Sequence, residues 1–436
     1  MEQILLALAI GTAAVIGLSV APLSVTPRAG WLLALAAAAA LVVSPTLALL
    51  VAVAVAVAFA VDAWAVRRRP RVDRRVARVL ARGVPAPITI DTTPVPGRLR
   101  VRQPPAPDLA ITPPEADGTL VGTVTARRRG RHTLPPPASR HIGPLGLSAW
   151  YRTESDPAEL SVYPDLPAAR RLARAGRQGR VRAPGSVTRG PLGLGTEFES
   201  VRDYVPDDDV RQINWRATQR LARPMTNQFR VEQDRDVVCV LDCGRLMAAP
   251  VRDRTRLDAA LDATAAVAYV ADEVGDRAGA VAFTDRVERH LAPRRRGGEA
   301  VVHALFDLEP RSVDADYELA FRTVRRGKRA LVIVFTDLLD EAAATALLDA
   351  VPVLARRHAV VVASVRDPDL DAIVTTPPAS AADVYSAVAA LDVLDARARV
   401  MSRLRHMGAD VLEAPPAVLA AACVSAYLSA KRRARL

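Results

Sequence analysis

Apolar and polar positions divide this chain into regions with different periods. Ile4 to Val20 carries no charged residue, and Trp31 to Val61 is a second apolar run interrupted at Ser44-Pro45. One helix over the second run would overshoot a hydrocarbon core about 30 Å thick, which takes about 20 residues to cross. The pattern therefore predicts a hairpin that breaks at Ser44-Pro45. It gives a membrane region over 1–66 with two transmembrane helices, or three if the first segment also spans. A hairpin buried in a protein core is the competing reading. A cleaved signal is disfavoured because residues 1–10 contain no Lys or Arg.

Farther along, the period shortens. Pro87–Ile90, Arg98–Val101, Leu120–Thr125 and Leu160–Tyr163 are short alternating stretches between Pro, Gly and Thr. They predict a small β-sandwich-like module over 84–165. Residues 166–194 read as an Arg-rich helix and a linker. From Asp236 the runs become wholly apolar: Val237–Leu241, Ala278–Phe283, Ala330–Phe335 and Val360–Val365. Helical stretches separate them at 256–276, 299–308 and 341–357, and two more follow at 381–407 and 416–435. Unbroken apolar strands alternating with helices predict a parallel sheet covered on both faces, so 236–436 is expected to be a Rossmann-like α/β domain.

The segment 195–235 fits neither period. Glu, Asp, Arg, Asn, Tyr and Trp are dense in it, and ordering such a segment needs specific partners for its polar groups. Two readings stay open. In one, Glu197, Arg202, Asp203, Tyr204, Asp208, Arg211, Asn214 and Trp215 form a surface that binds a partner or a phosphate-bearing ligand, since Arg and Trp are favoured interface anchors. In the other, Arg202 and Arg211 pair with Glu197, Asp203 and Asp208 as an internally neutralised clasp, with Tyr204 and Trp215 buried beneath.

Charge refines the picture. The formal net charge is +12, and only Lys328 and Lys431 are lysines. Eight arginines lie between Arg67 and Arg82. They mark 67–83 as a basic juxtamembrane segment and place the following residues on the cytoplasmic side of the cell membrane. No basic motif interleaved with aromatics is present, so the expected partner is the lipid bilayer and not nucleic acid. Cys239, Cys243 and Cys423 form no CxxC and no even set, which points to a reducing compartment.

No P-loop, GxSxG, HExxH or GxGxxG occurs, and the six histidines are scattered. The acids that end the apolar strands are the candidate ion site, because open α/β sheets gather ligands at that edge and Mg²⁺ needs only one or two carboxylates. Asp242 in Asp242-Cys243-Gly244-Arg245-Leu246 and Asp337 in Thr336-Asp337 resemble the metal site of a von Willebrand factor A domain. Gly244 and Leu246 stand where that motif has serines, and Asp314-Ala315-Asp316-Tyr317 offers no clear threonine. The expectation is that fold with a degenerate Mg²⁺ site.

Glu197–Tyr204 together with Arg211–Trp215 closely resembles the signature of the domain-of-unknown-function family 58 (DUF58). Arg128–His132 and Gly143-Pro144-Leu145-Gly146-Leu147 resemble the β-rich module of the same family. The resemblance implies a membrane hairpin, a β-module and a von Willebrand A-like domain. It further implies a non-enzymatic adaptor or scaffold that works with a MoxR-type AAA+ ATPase in assembly or maturation of protein complexes. The alternatives are a Mg²⁺-dependent hydrolase using Asp203, Asp207, Asp208, Asp242 or Asp337, and a structural scaffold in the envelope.

Overall fold

The computed structural model describes residues 23–42, 45–153, 156–177, 197–205, 208, 210–230, 235–325, 327–338 and 341–432. The chain divides into two units, Met1–Val162 and Tyr163–Leu436.

In the first unit, Pro27 and Pro45 each open a helix, Pro27–Val42 and Pro45–Ala65, and the two helices pack together. Proline suits that first position because its missing N–H has no intrahelical partner there and its φ is already helical. Among the described residues no helix is long and apolar enough to cross a membrane. The transmembrane helices expected over 1–66 are therefore not seen there, and the first apolar segment lies outside the described residues.

The last turn of the second helix has another use. Asp62 is buried and accepts hydrogen bonds from the backbone N–H groups of Leu145 (2.7 Å), Leu147 (2.9 Å) and Ser148 (2.8 Å), and from Ser148 Oγ (3.0 Å). The Gly143–Leu147 motif is the loop that wraps this carboxylate. A side chain at Gly143 would drive its Cβ into the Asp62 carboxyl, and Gly146 sits at φ +71°. The strand Leu23–Val25 and the strands over 72–162 form sheets of five, four and three strands, and Ile88, Ile90, Val101, Leu120, Leu134 and Leu160 share one core.

The second unit is a mixed α/β structure with a mostly parallel sheet flanked by helices. Helix α1 (Leu166–Arg177) packs on the sheet's helical cover, and the polar segment beyond it forms an antiparallel hairpin, β1 (Glu197–Asp203) with β2 (Met225–Arg230), around the short helix α2 (Trp215–Leu221). Five further strands are β3 (Asp236–Asp242), β4 (Arg277–Phe283), β5 (Val287–Arg295), β6 (Ala330–Phe335) and β7 (Ala359–Val365), and β8 (Asp410–Ala414) completes the set. They lie in the order β5-β4-β3-β6-β7-β8. All pairings are parallel except β4 with β5.

Strand alternation explains the two-sided core. Val237, Cys239 and Leu241 face a cluster built on α3 (Arg256–Glu273), whereas Val238 and Val240 face a cluster that includes Phe321 and Leu347. Cys239, Cys243 and Cys423 are buried thiols, and burial pushes the Cys239 thiol up to about 12, so it packs as a small apolar side chain. The edge strands β5 and β8 and the helix α5 (Tyr317–Arg325, after α4, Gly298–Leu305) were not legible as apolar runs, because exposed polar positions break their pattern.

Candidate functional site

Parallel strands put the carboxyl ends of β3 and β6 side by side, and with them Asp242 and Asp337. Both are buried. The first carries a hydroxyl network: Asp242 Oδ2 accepts from Tyr317 Oη at 2.9 Å and from Thr336 Oγ at 2.7 Å, the two hydroxyl oxygens lie 2.7 Å apart, and Gly244 N–H donates to Oδ1 at 2.7 Å. The middle loop thus supplies a hydroxyl after all, from the tyrosine that opens α5. Burial pushes the Asp242 carboxyl above its usual range against those hydrogen bonds. Burial and the neighbouring Asp242 hold the Tyr317 phenol well above its ordinary value. Tyr317 also lines a groove of about 880 Å³ with Phe321, Ala350 and Leu354.

Asp337 has a different environment. Arg256, the first residue of α3, forms an ion pair with it, and Arg397 Nη1 donates to its other oxygen at 2.9 Å. Arg397 is the largest fully buried side chain of the chain's described part. Its Nη2 also donates to Glu413 (2.8 Å), Ser364 Oγ (3.1 Å) and the Val365 carbonyl (3.2 Å). Burial opposes the Arg397 charge, but Asp337 and Glu413 more than offset it and raise its pKa. Every acid at this edge therefore faces a guanidinium, a hydroxyl or a backbone N–H.

That donor set does not fit a divalent cation. Asp337 is already neutralised by two fixed cations, Asp242 is turned toward hydroxyl hydrogens, and among the described residues no group of three or more His, Cys, Asp or Glu could hold a metal ion. The Mg²⁺ expected at Asp242 and Asp337 has no place here, because arginines occupy the positive side of the site. Arg256 and Arg397 were missed in the sequence. Arg256 follows the N-cap Thr255 of the Thr255–Asp258 capping box directly, the one local hint, whereas Arg397 is lost among the arginines of its helix.

The polar segment is a second candidate. Arg202 Nη2 donates to Asp208 Oδ1 at 2.6 Å, and Asp208 Oδ2 accepts from Val205 N–H at 2.9 Å. The Arg202 guanidinium, then the Val205 amide, hold the Asp208 carboxyl below its usual range. Tyr204, half-buried, donates weakly to the Asp208 carbonyl at 3.4 Å. Asp203 pairs at the surface with Arg223 at 3.3 Å. Asn214 Oδ1 caps α2 by accepting from Ala217 N–H at 3.0 Å, while its Nδ2 donates to Asn227 at 2.8 Å. Arg211 is exposed in the turn before α2. Trp215 departs from the clasp reading: it is 68% exposed on the first turn of α2 rather than buried. Asp207 and the Glu197 side chain lie outside the described residues. Among the described residues, the acids proposed for a hydrolase thus fall into separate networks: Asp203 at Arg223, Asp208 at Arg202, Asp242 at the Tyr317–Thr336 hydroxyls and Asp337 at the arginine pair.

Similarity to known proteins includes this segment. Residues 200–398 match DUF58, described as a protein of unknown function. The DUF58 match begins inside β1 and takes in both the polar segment and the arginine-paired strand edge. Uncharacterized protein Mb1516 of Mycobacterium bovis and uncharacterized protein Rv1480 of Mycobacterium tuberculosis are each 26% identical over 182 residues, 40% of this chain and 56% of theirs. The chain therefore spans little more than half the length of these curated relatives. Proximal thread matrix protein 1 of the mussel byssus aligns at 13% identity over 45% of this chain and 46% of its own, with a TM-score of 0.28, too loose to carry an argument.

Proposed function

We propose that this chain is a non-enzymatic, membrane-anchored adaptor or scaffold that works with a cytoplasmic MoxR-type AAA+ ATPase in assembly or maturation of protein complexes. The observation that carries the reading is Trp215. A large aromatic presented to solvent from a helix fixed by Asn214, in the same polar segment as the Arg202–Asp208 pair, has the composition of an interface anchor. The strand edge supports an adaptor by its chemistry, since Asp242 and Asp337 are engaged by internal hydroxyls and guanidinium groups.

The finer architecture agrees with the same reading. The strand order β5-β4-β3-β6-β7-β8 with one antiparallel edge supports a von Willebrand A-like domain whose metal edge has been filled by arginine. Sheets sharing one core support a β-sandwich-like module. Exposed Trp31, Leu35, Leu50, Val53, Val57 and Trp64 on the N-terminal helices support attachment at a lipid surface, and the arginines after Val66 support a cytoplasmic location for the rest of the chain.

Co-precipitation of the purified chain with a MoxR-type AAA+ ATPase from the same organism tests the reading, with and without nucleotide. Association that Trp215→Ala abolishes while leaving the unfolding midpoint unchanged is the expected result. Failure to associate in every nucleotide state removes the proposal.

A further inference from the structure

The last part of the DUF58 match contains a surface that neither candidate site uses. Helices α7 (Pro368–Thr375) and α8 (Ala381–His406), which come after α6 (Glu341–Ala355) and β7, pack against each other as a helical hairpin. The buried residues of α8 are Ala390, Arg397, Val400 and Leu404, so its burial is concentrated toward the C-terminal half. The root is the arginine that grips Asp337 and Glu413.

The N-terminal half of α8 exposes an apolar stripe. Val384, Tyr385, Val388 and Leu391 are 47%, 78%, 51% and 45% exposed, and Ile373 of α7 is also exposed. Their spacing of one, four and seven residues places them on a single helix face. Surface apolar residues scattered singly need no explanation, but a contiguous stripe of this kind marks an interaction surface.

Charge identifies the occupant. Residues 367–396 contain Asp367, Asp369, Asp371, Asp383, Asp392 and Asp395 and no Lys or Arg, in a chain whose net charge is +12. Asp383 serves the capping box with Ser380 and Asp371 pairs with Arg366, so part of this charge shapes the hairpin itself. Asp392 and Asp395 follow the apolar stripe along α8. An acidic, apolar face is repelled by an anionic lipid surface and attracted to a cationic one.

We infer that the exposed face of the α7–α8 hairpin, centred on Tyr385, is a docking surface for a partner protein that presents an apolar helix flanked by Lys or Arg. It is built from other elements than the Trp215 surface and does not depend on the identity of the ATPase. Because α8 is fastened through Arg397, the buried strand-edge cluster positions this face.

The test uses the purified full chain and a fluorescein-labelled amphipathic peptide of about 18 residues, with Leu on one face and Arg on its flanks. A matched peptide carries Glu in place of Arg. Fluorescence anisotropy should show binding of the Arg peptide, weakened by added salt, and no binding of the Glu peptide. Tyr385→Asp, at a solvent-exposed position, should weaken binding by at least about tenfold. Asp392→Lys combined with Asp395→Lys should weaken it in the same direction. Trp215→Ala should leave it unchanged, so failure of the ATPase proposal would not touch this one. Equal binding of both peptides, or indifference to Tyr385→Asp, overturns the inference. So does a concentration-dependent dimer in sedimentation that Tyr385→Asp dissociates, which would give the face to a second copy of this chain. Binding of anionic vesicles that Tyr385→Asp abolishes overturns it as well, by giving the face to lipid.

Discussion

Arg397 Nη1 lies 2.9 Å from Asp337 Oδ1, and the two side chains are 2% and 3% exposed. This pair joins a long helix to the carboxyl end of a central strand, where related sheet edges bind ligands. Removing one member of a buried ion pair leaves an uncompensated charge and costs about 3–5 kcal/mol. Arg397→Met should therefore lower the free energy of unfolding measured by chemical denaturation by that amount, although methionine fills much of the volume. Because arginines supply the positive charge, Mg²⁺ and EDTA should leave the unfolding midpoint of the unmodified protein unchanged in calorimetry.

Asp242 predicts a pH effect of definite sign. Its carboxyl is raised by burial above the ordinary value of 3.8. The folded state thus holds the proton to higher pH than the unfolded state, and this residue's contribution to stability falls as pH rises from about 3.8 through the raised value. Asp242→Asn keeps an oxygen for Gly244 N–H and removes the titration. Denaturation curves across that window should show the variant gaining stability relative to the parent as pH rises.

His358 titrates with the opposite consequence. Its Nδ1 accepts from Ala330 N–H at 3.2 Å at the start of β6. Burial, then the charges of Arg357 and Arg329, hold its pKa below the ordinary 6.5. Folding favours the neutral ring, so this contribution is present above about pH 6.5 and is lost as pH falls through the depressed value. His358→Asn, which keeps an acceptor, should flatten that acid limb in denaturation measured across the same range.

The grip of the 143–148 loop on Asp62 is the most sensitive point of the first unit. Asp62→Ala leaves three backbone N–H groups without their acceptor, each worth about 1–3 kcal/mol when buried. Gly143→Ala drives a Cβ into the same carboxyl. Both variants should expose the first unit to limited proteolysis at a protease concentration that leaves the parent intact.

Within the polar segment, the cap and the tryptophan should separate. Asn214→Ala removes the N-cap of α2 and should cost about 1 kcal/mol. Trp215→Ala, at an exposed position, should change stability by no more than about 0.5 kcal/mol. Thermal unfolding of the two variants side by side checks the distinction.

The apolar runs Val237–Leu241 and Ala330–Phe335 were legible as buried parallel strands because both faces of such strands are covered, so no polar position interrupts them. The edge strand Val287–Arg295 was not, since its exposed arginines give it the look of a loop. Asp242 and Asp337 could be read as strand-end neighbours from the same logic. Their partners could not, because Tyr317 is 75 residues from Asp242 and Arg397 is 60 residues from Asp337.

The sequence by itself determined the alternation of apolar strands and helices in the second unit, the polar segment before it and the acids at the strand ends, since each is written in local periodicity and residue type. Only the tertiary structure decided what those acids face. Whether a buried carboxylate meets a cation from solvent or an arginine from a distant helix depends on which side chains the fold brings within a few ångströms. The same holds for Trp215 and Tyr385, whose exposure is set by what the rest of the chain leaves uncovered and not by their neighbours in sequence.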